Sequence, residues 1–306
     1  MNKLDLTTII LTYNEEIHIR RCLENVCLFS QKVIVVDSPS TDRTVEICKE
    51  FDNVEVVVHK YPGNQAEQFN WVLDNLDIDT EWIFRLDADE YLFPELIEEM
   101  QRTIPSLPVT VTALSLPRAR AFMGKRLKHG IVESVRLVRC FRKDKARYEQ
   151  RLMDEQLEVL EGETIELEGL FIDDNRMPLG AFIAKHNDYA LREAIDQLNK
   201  IYHFNGKEEG EQNLSDGVQK KRNKKDLFSR MPLFWRSFAY FIYRYIVKMG
   251  FLDGKEGFCW DFFQGLWYRM LVDAKIYEIK SNCGDDKEKI IAYFKTMYNK
   301  DLTNIK

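Results

Sequence analysis

The sequence predicts an α/β protein: a mainly parallel sheet flanked by helices, followed by a helical C-terminal extension. Three observations lead there. Short β-branched runs alternate with helical patterns through the first third of the chain, as they do where strands are joined by crossover helices. Polar clusters close several of those runs, and in such sheets ligands bind beyond the carboxyl ends of the strands. From residue 226 onward the chain turns helical and strongly aromatic.

The elements follow in order. Residues 6–11 form a compact β-rich run, and 15–29 read as a helix with Ile19, Leu23 and Val26 on one side. A continuous β-branched run at 33–36 is the second strand, 41–51 a second helix and 54–58 a third strand. Residues 64–76 carry Phe69, Val72, Leu73 and Leu76 at helical spacing, and 82–86 form a fourth strand. After Pro105 the rhythm breaks. Strands are expected at 109–116, 135–141 and 164–172, with a basic loop holding Arg118, Arg120, Lys125, Arg126 and Lys128 between the first two. Residues 186–204 are helical in pattern, and 208–216 read as a polar surface loop. The expected organisation is three segments, 1–105 and 106–205 as two halves of one domain and 206–306 as the extension.

Composition narrows the function. With 306 residues, 45% hydrophobic and 31% charged, the chain can bury a sizeable core. A net charge of -6 argues against a chain-wide coat for nucleic acid. Six cysteines without a C-x-x-C pair signal buried, reduced thiols in a cytosolic protein. There is no signal-peptide pattern and no run of ~20 apolar residues, so a peripheral protein at the inner face of the cytoplasmic membrane is expected rather than a spanning one. Absence of G-x-G-x-x-G, of a P-loop and of G-x-S-x-G argues against dinucleotide oxidoreductases, P-loop NTPases and α/β-hydrolases.

Three strand ends carry the candidate chemistry. The first closes in Thr12-Tyr13-Asn14-Glu15-Glu16, the second in Asp37-Ser38-Pro39-Ser40-Thr41-Asp42, the fourth in Asp87-Ala88-Asp89-Glu90. In a parallel sheet all three share one edge. Carboxylates two apart at a strand end can converge on a hard cation that keeps open positions for phosphate oxygens. Asp37 can accept hydrogen bonds from a base or a ribose. Ser40, Thr41 and Asp42 also suit the start of the next helix, and Tyr13 and Asn14 suit a turn.

This ordered set resembles family 2 glycosyltransferases of the GT-A fold, with Gly63-Asn64-Gln65-Ala66 and Asn70-Trp71 fitting the approach to the fourth strand. The match is strongest over the first third of the chain. The resemblance implies a nucleotide-sugar donor, UDP-linked by expectation, bound by Thr12, Tyr13, Asn14, Glu15, Asp37, Gln65, Asp87 and Ala88. It implies Mg²⁺ or Mn²⁺ held mainly by Asp89 to neutralise the departing diphosphate, with His186 as a further ligand. An inverting transfer also needs a base for the acceptor hydroxyl. The acidic pair in Met153-Asp154-Glu155-Gln156 supplies the candidates, Glu155 or Asp154, in an order resembling the lipopolysaccharide-core branch of the family.

The last third suggests the acceptor. From residue 220 to 248 nine cations face the single acid Asp226, interleaved with aromatics. Arg230, Ser237, Arg244 and Lys248 fall on one polar stripe of a helical projection. Such a helix suits an anionic membrane interface, and so a lipid-linked saccharide or glycolipid acceptor. A homodimer is the competing use of the aromatics, and a protein acceptor or a non-catalytic nucleotide-sugar scaffold the competing function. Nucleic acid is not an expected partner.

Overall fold

Largely apolar runs suit strands covered on both faces, and four short strands build the centre of the sheet. The computed structural model describes residues 3–132, 135–149, 157–204 and 231–304. The chain divides into two units, Met1–Met177 and Pro178–Lys306. In the first, β1 (Leu4–Thr12), β2 (Ser30–Asp37), β3 (Val54–Val58) and β4 (Trp82–Asp87) run parallel in the order β3-β2-β1-β4. Successive side chains of β1 go to opposite faces. Leu4, Leu6 and Ile10 join a core with Ile19, Leu23 and Val26 of α1 (Ile19–Val26), Ile47 of α2 (Thr44–Cys48) and Leu96 and Met100 of α4 (Pro94–Thr103). Ile9 lies in the other core, with Phe69 and Val72 of α3 (Gln65–Asn75). Each fully buried side chain of this size contributes roughly 1.5–3 kcal/mol, so helices are held on both faces.

Beyond β4 the sheet becomes mixed. The strand β8 (Arg136–Arg142) is antiparallel to β4 and to the long β6 (Val111–Phe122). Along its other edge β6 pairs in parallel with β11 (Glu163–Glu166) and β12 (Phe171–Asp173), and its far end pairs with β7 (Lys125–Leu127). A short β5 (Glu90–Leu92) then pairs antiparallel with β12. Separate from this sheet, β9 (Ala146–Tyr148) pairs with β10 (Leu157–Val159).

Several expectations shift. Arg118 and Arg120 lie within β6, not in a loop, and Arg120 is paired with Asp173 at 2.8 Å. The single strand expected at 164–172 is two. Between them Glu99 accepts the N–H groups of Glu168 and Gly169, and a Cβ on Gly169 would fall 2.5 Å from the Leu96 Cα, so the chain leaves the sheet to meet α4. Strands from residues 1–105 and from 106–177 are joined in the ten-stranded sheet, and the division between units falls after Met177.

The second unit is helical. Helix α5 (Leu179–Tyr202) starts directly after Pro178. Its Ala190, Ala194 and Leu198 share a core with Val272, Ile276 and Ile279 of α8 (Tyr268–Cys283) and Ile290 and Phe294 of α9 (Lys287–Tyr298). Between them in sequence lie α6 (Trp235–Ile242), which runs on into a π-helical segment at Tyr243–Val247, and α7 (Gly254–Trp260), which runs on into another at Asp261–Trp267. Of the polar stripe read from the sequence, Lys248 is exposed. Ser237 and Arg244 are buried, as is Arg236, because Asp273 and Asp261 supply counter-charges from inside the unit. A desolvated guanidinium requires such a partner. Arg230 and the polar loop at 208–216 lie outside the described residues. Among the described residues no helix is long and apolar enough to cross a membrane.

Candidate active site

Register sets the site. Thr12 pairs with Asp37 across β1 and β2, and Leu11 pairs with Asp87 across β1 and β4, so the three polar clusters do meet at one edge. Asp37 is 1% exposed. Its carboxylate accepts from the Thr12 hydroxyl at 2.9 Å, the Ser40 N–H at 2.8 Å and the Ser40 hydroxyl at 2.6 Å. A carboxylate offers about four lone-pair directions, so one direction remains for a ligand. Asn14 takes the left-handed conformation (φ 55°) that asparagine tolerates. Its N–H donates to Ser40 Oγ and its Oδ1 accepts from the Thr41 N–H, both at 2.8 Å, which laces the two loops together. Glu15 donates its N–H to Thr44 Oγ1 at 2.8 Å, and its carboxylate meets His18 Nδ1 at 2.6 Å. The Tyr13 ring is 62% exposed at the rim. Gln65, the first residue of α3, accepts from Arg85 at 3.3 Å.

The turn from β4 to β5 holds the acids. Asp87 is paired with Arg85 at 3.0 Å and with Arg139 at 3.5 Å. Glu90, buried, is paired with Arg139 at 2.7 Å and accepts the Asp87 N–H at 3.0 Å. Asp173 is paired with Arg120, and Asp174 with Arg21 and Arg176. Among the described residues of this cluster, Asp89 is the carboxylate with no arginine. Its Oδ2 accepts from the neutral Asn175 amide at 2.9 Å, while its main-chain carbonyl accepts from the Asp174 N–H at 3.0 Å and Arg21 at 3.3 Å. Burial, then repulsion from Asp173 and Asp87, pushes the Asp89 carboxyl up to about 6. Burial pushes Glu90 up to about 8, against the pull of Arg139. Ala88 between them is buried.

The remaining candidates fall elsewhere. Asp154 and Glu155 lie outside the described residues. His186 sits in α5 of the second unit, stacked on Phe182 at 3.8 Å between ring centroids, with Nδ1 2.8 Å from the Phe182 carbonyl oxygen and Nε2 beside the Gln264 amide. Sequence reasoning missed Asn175, Asp173, Asp174 and Arg139. The triplet Asp173-Asp174-Asn175 closes β12 in the way the other clusters close their strands, and an arginine inside the apolar run of β8 is itself a signal of a buried partner. Among the described residues no three His, Cys, Asp or Glu side chains converge on a metal position.

This geometry gathers the polar strand ends at one edge of a mixed, mostly parallel sheet, with one carboxylate that meets no arginine among the described residues. Residues 7–156, just under half of the chain, match the family described as Glycosyl transferase family 2, the family its sequence resembles, and the sheet is the mixed, mostly parallel one expected. Among curated relatives, an uncharacterized glycosyltransferase of Rickettsia typhi is 34% identical over 96 residues, which are 31% of this chain and 32% of that one. The SPbeta prophage-derived glycosyltransferase SunS of Bacillus subtilis is 37% identical over 91 residues, 28% of this chain and 21% of its own. The chain thus spans about a third or less of the length of these relatives. Solved structures resemble it loosely. The mannosyltransferase PcManGT of Pyrobaculum calidifontis, in complex with GDP-Man and Mn²⁺, has a TM-score of 0.49 at 14% identity, over 90% of this chain and 88% of that one. TarS 1-349 of S. aureus has a TM-score of 0.44 at 14% identity, over 96% and 92%.

Proposed function

We propose that this protein is an inverting transferase that moves a sugar from a nucleotide donor, UDP-linked by our reading, to a lipid-linked saccharide or glycolipid at the inner face of the cytoplasmic membrane. The observation that carries the donor half is the solitary charge of Asp89. Among the described residues Asp87, Glu90, Asp173 and Asp174 are each matched by an arginine and Asp89 is not, so its oxygens would suit Mg²⁺ or Mn²⁺. When bound, that cation supplies charge neutralisation for the leaving diphosphate. The chain's own residues do the rest. Asp37 offers its remaining lone-pair direction to a base or ribose donor, and the exposed Tyr13 ring offers a stacking surface beside it. Glu155, or Asp154 beside it, takes the proton of the acceptor hydroxyl.

The test is thermal melting with nucleoside diphosphates, with and without Mn²⁺, since a ligand that binds the folded state raises its melting temperature. A shift with UDP that requires the cation, lost in Asp89→Asn, supports the donor site. No shift with any nucleotide would overturn it. Glu155→Gln should keep that shift and lose sugar transfer. Nucleotide binding without turnover in the wild type would instead fit a nucleotide-sugar scaffold.

A further inference from the structure

Helix α6 and the π-helical segment after it are amphipathic in the inverted sense. The charges point inward. Arg236 is 1% exposed, with Nε 2.8 Å from Asp273 Oδ1, and the Ser237 hydroxyl lies 3.1 Å from Asp273 Oδ2. Arg244 Nε lies 2.8 Å from Asp261 Oδ1. The apolar residues point outward. Trp235, Phe238, Ile242, Tyr243, Ile246 and Val247 recur at helical spacing, and each is between 42% and 75% exposed. An ordinary surface helix has the opposite arrangement. A contiguous exposed apolar face of this kind marks an interaction surface.

We infer that this face seats in the headgroup layer of an anionic lipid membrane. Charge selects that occupant. Between Met231 and Lys255 the only acid is Asp253, and it is buried, whereas Lys248 and Lys255 are exposed beside the apolar run. The sequence just before, residues 220–230, adds six cations against one acid. A positive surround draws anionic lipid, whereas two copies of the same surface would bring like charges together. Side-chain type agrees. The exposed face includes the Trp235 and Tyr243 rings among its aliphatic side chains, and such rings favour the water–lipid boundary. The inward arginines agree too. Their partners lie within the unit, so entry of this face into an apolar phase leaves neither Arg236 nor Arg244 without a counter-charge. This inference rests on the proposed lipid-linked acceptor and assigns the element that brings the enzyme to it.

The test uses the full chain and co-sedimentation with vesicles of phosphatidylcholine alone or mixed with phosphatidylglycerol. The wild type should bind the anionic vesicles and bind phosphatidylcholine weakly. Trp235→Ser combined with Ile246→Ser should weaken that binding at least ~tenfold, the order expected for withdrawing two large apolar side chains from lipid. Both positions are exposed, and a second variant, Ile242→Asp, repeats the test independently. Sedimentation velocity on the same samples identifies the rival occupant. A wild type that ignores the vesicles overturns the inference, as do variants that bind like the wild type. A dimer that the substitutions dissociate, with no vesicle binding at any stage, assigns the face to a second copy instead. The Mn²⁺-dependent UDP shift, measured without lipid, keeps the two readings apart. The face variants should retain it, and Asp89→Asn should lose it while still binding vesicles.

Discussion

Asp89→Asn keeps the shape of the side chain and removes its charge, and the structure predicts opposite effects on stability and on binding. Ionised Asp89 is held against burial and against the nearby Asp87 and Asp173, which displaces its carboxyl from 3.8 to about 6. At about 1.36 kcal/mol per pH unit, that displacement is worth at most about 3 kcal/mol. The side chain is partly open to water, so screening leaves about 1–2 kcal/mol. The sign follows from linkage. A carboxyl whose folded value is raised binds its proton more tightly in the folded state, so its stabilisation is complete below 3.8 and is lost as the pH rises through about 6. In a chelator at about pH 7.5 the variant should therefore be the more stable protein by that amount, or roughly 2–8 °C in melting temperature for a unit of this size. The gap should close as the pH falls to about 4. Mn²⁺ with UDP should raise the melting temperature of the wild type alone. Scanning calorimetry of both proteins across this range measures the difference directly, with other titrations common to the two curves. A variant that melts below the wild type near neutral pH in chelator, or a difference that is flat with pH, would refute the electrostatic reasoning.

Two further substitutions probe the supports of the same cluster. Above about pH 8, where the Glu90 carboxyl is ionised, Glu90→Gln leaves the Arg139 guanidinium, 2% exposed, without its close counter-ion, and should destabilise the fold by about 3–5 kcal/mol, read from the urea midpoint. Asn175→Ala removes the amide that orients Asp89. It should weaken Mn²⁺ binding in the presence of UDP by about tenfold, the lower end for a partner of a metal ligand, while UDP binding without metal is unchanged in a calorimetric titration.

The central sheet was legible because its strands are short, largely apolar runs alternating with helical patterns, and their polar ends needed only the parallel-sheet rule to share one edge. Thr12, Asp37 and Asp87 were found that way and are register neighbours. The second half resisted for a physical reason. In β6 and β8 the arginines sit inside apolar strands, and a sequence pattern assigns charge to loops unless the counter-ion is known. Arg120 finds Asp173 some fifty positions on, and Arg139 finds Glu90. The helical region failed in the same manner. A projection of α6 puts Ser237 and Arg244 on a polar stripe, but only Asp261 and Asp273, far along the chain, decide that the stripe faces inward. Pairing over long sequence separation is what a single sequence hides.

The same pairing explains how an acidic cluster can serve a transient cation. Were Asp87, Asp89, Glu90, Asp173 and Asp174 all uncompensated, mutual repulsion would oppose the fold, and a divalent ion would be drawn in whether or not a donor was present. Arginines cancel the charge of four of them at close range. One carboxylate, steadied by an amide in place of a cation, is too few ligands to hold Mg²⁺ or Mn²⁺ tightly by itself. The remaining ligands must come with the diphosphate, so metal and nucleotide should each raise the affinity for the other by the same factor. On the proposed donor reading, departure of the nucleoside diphosphate would then weaken the hold of Asp89 on the metal as well and leave the site open for the next donor.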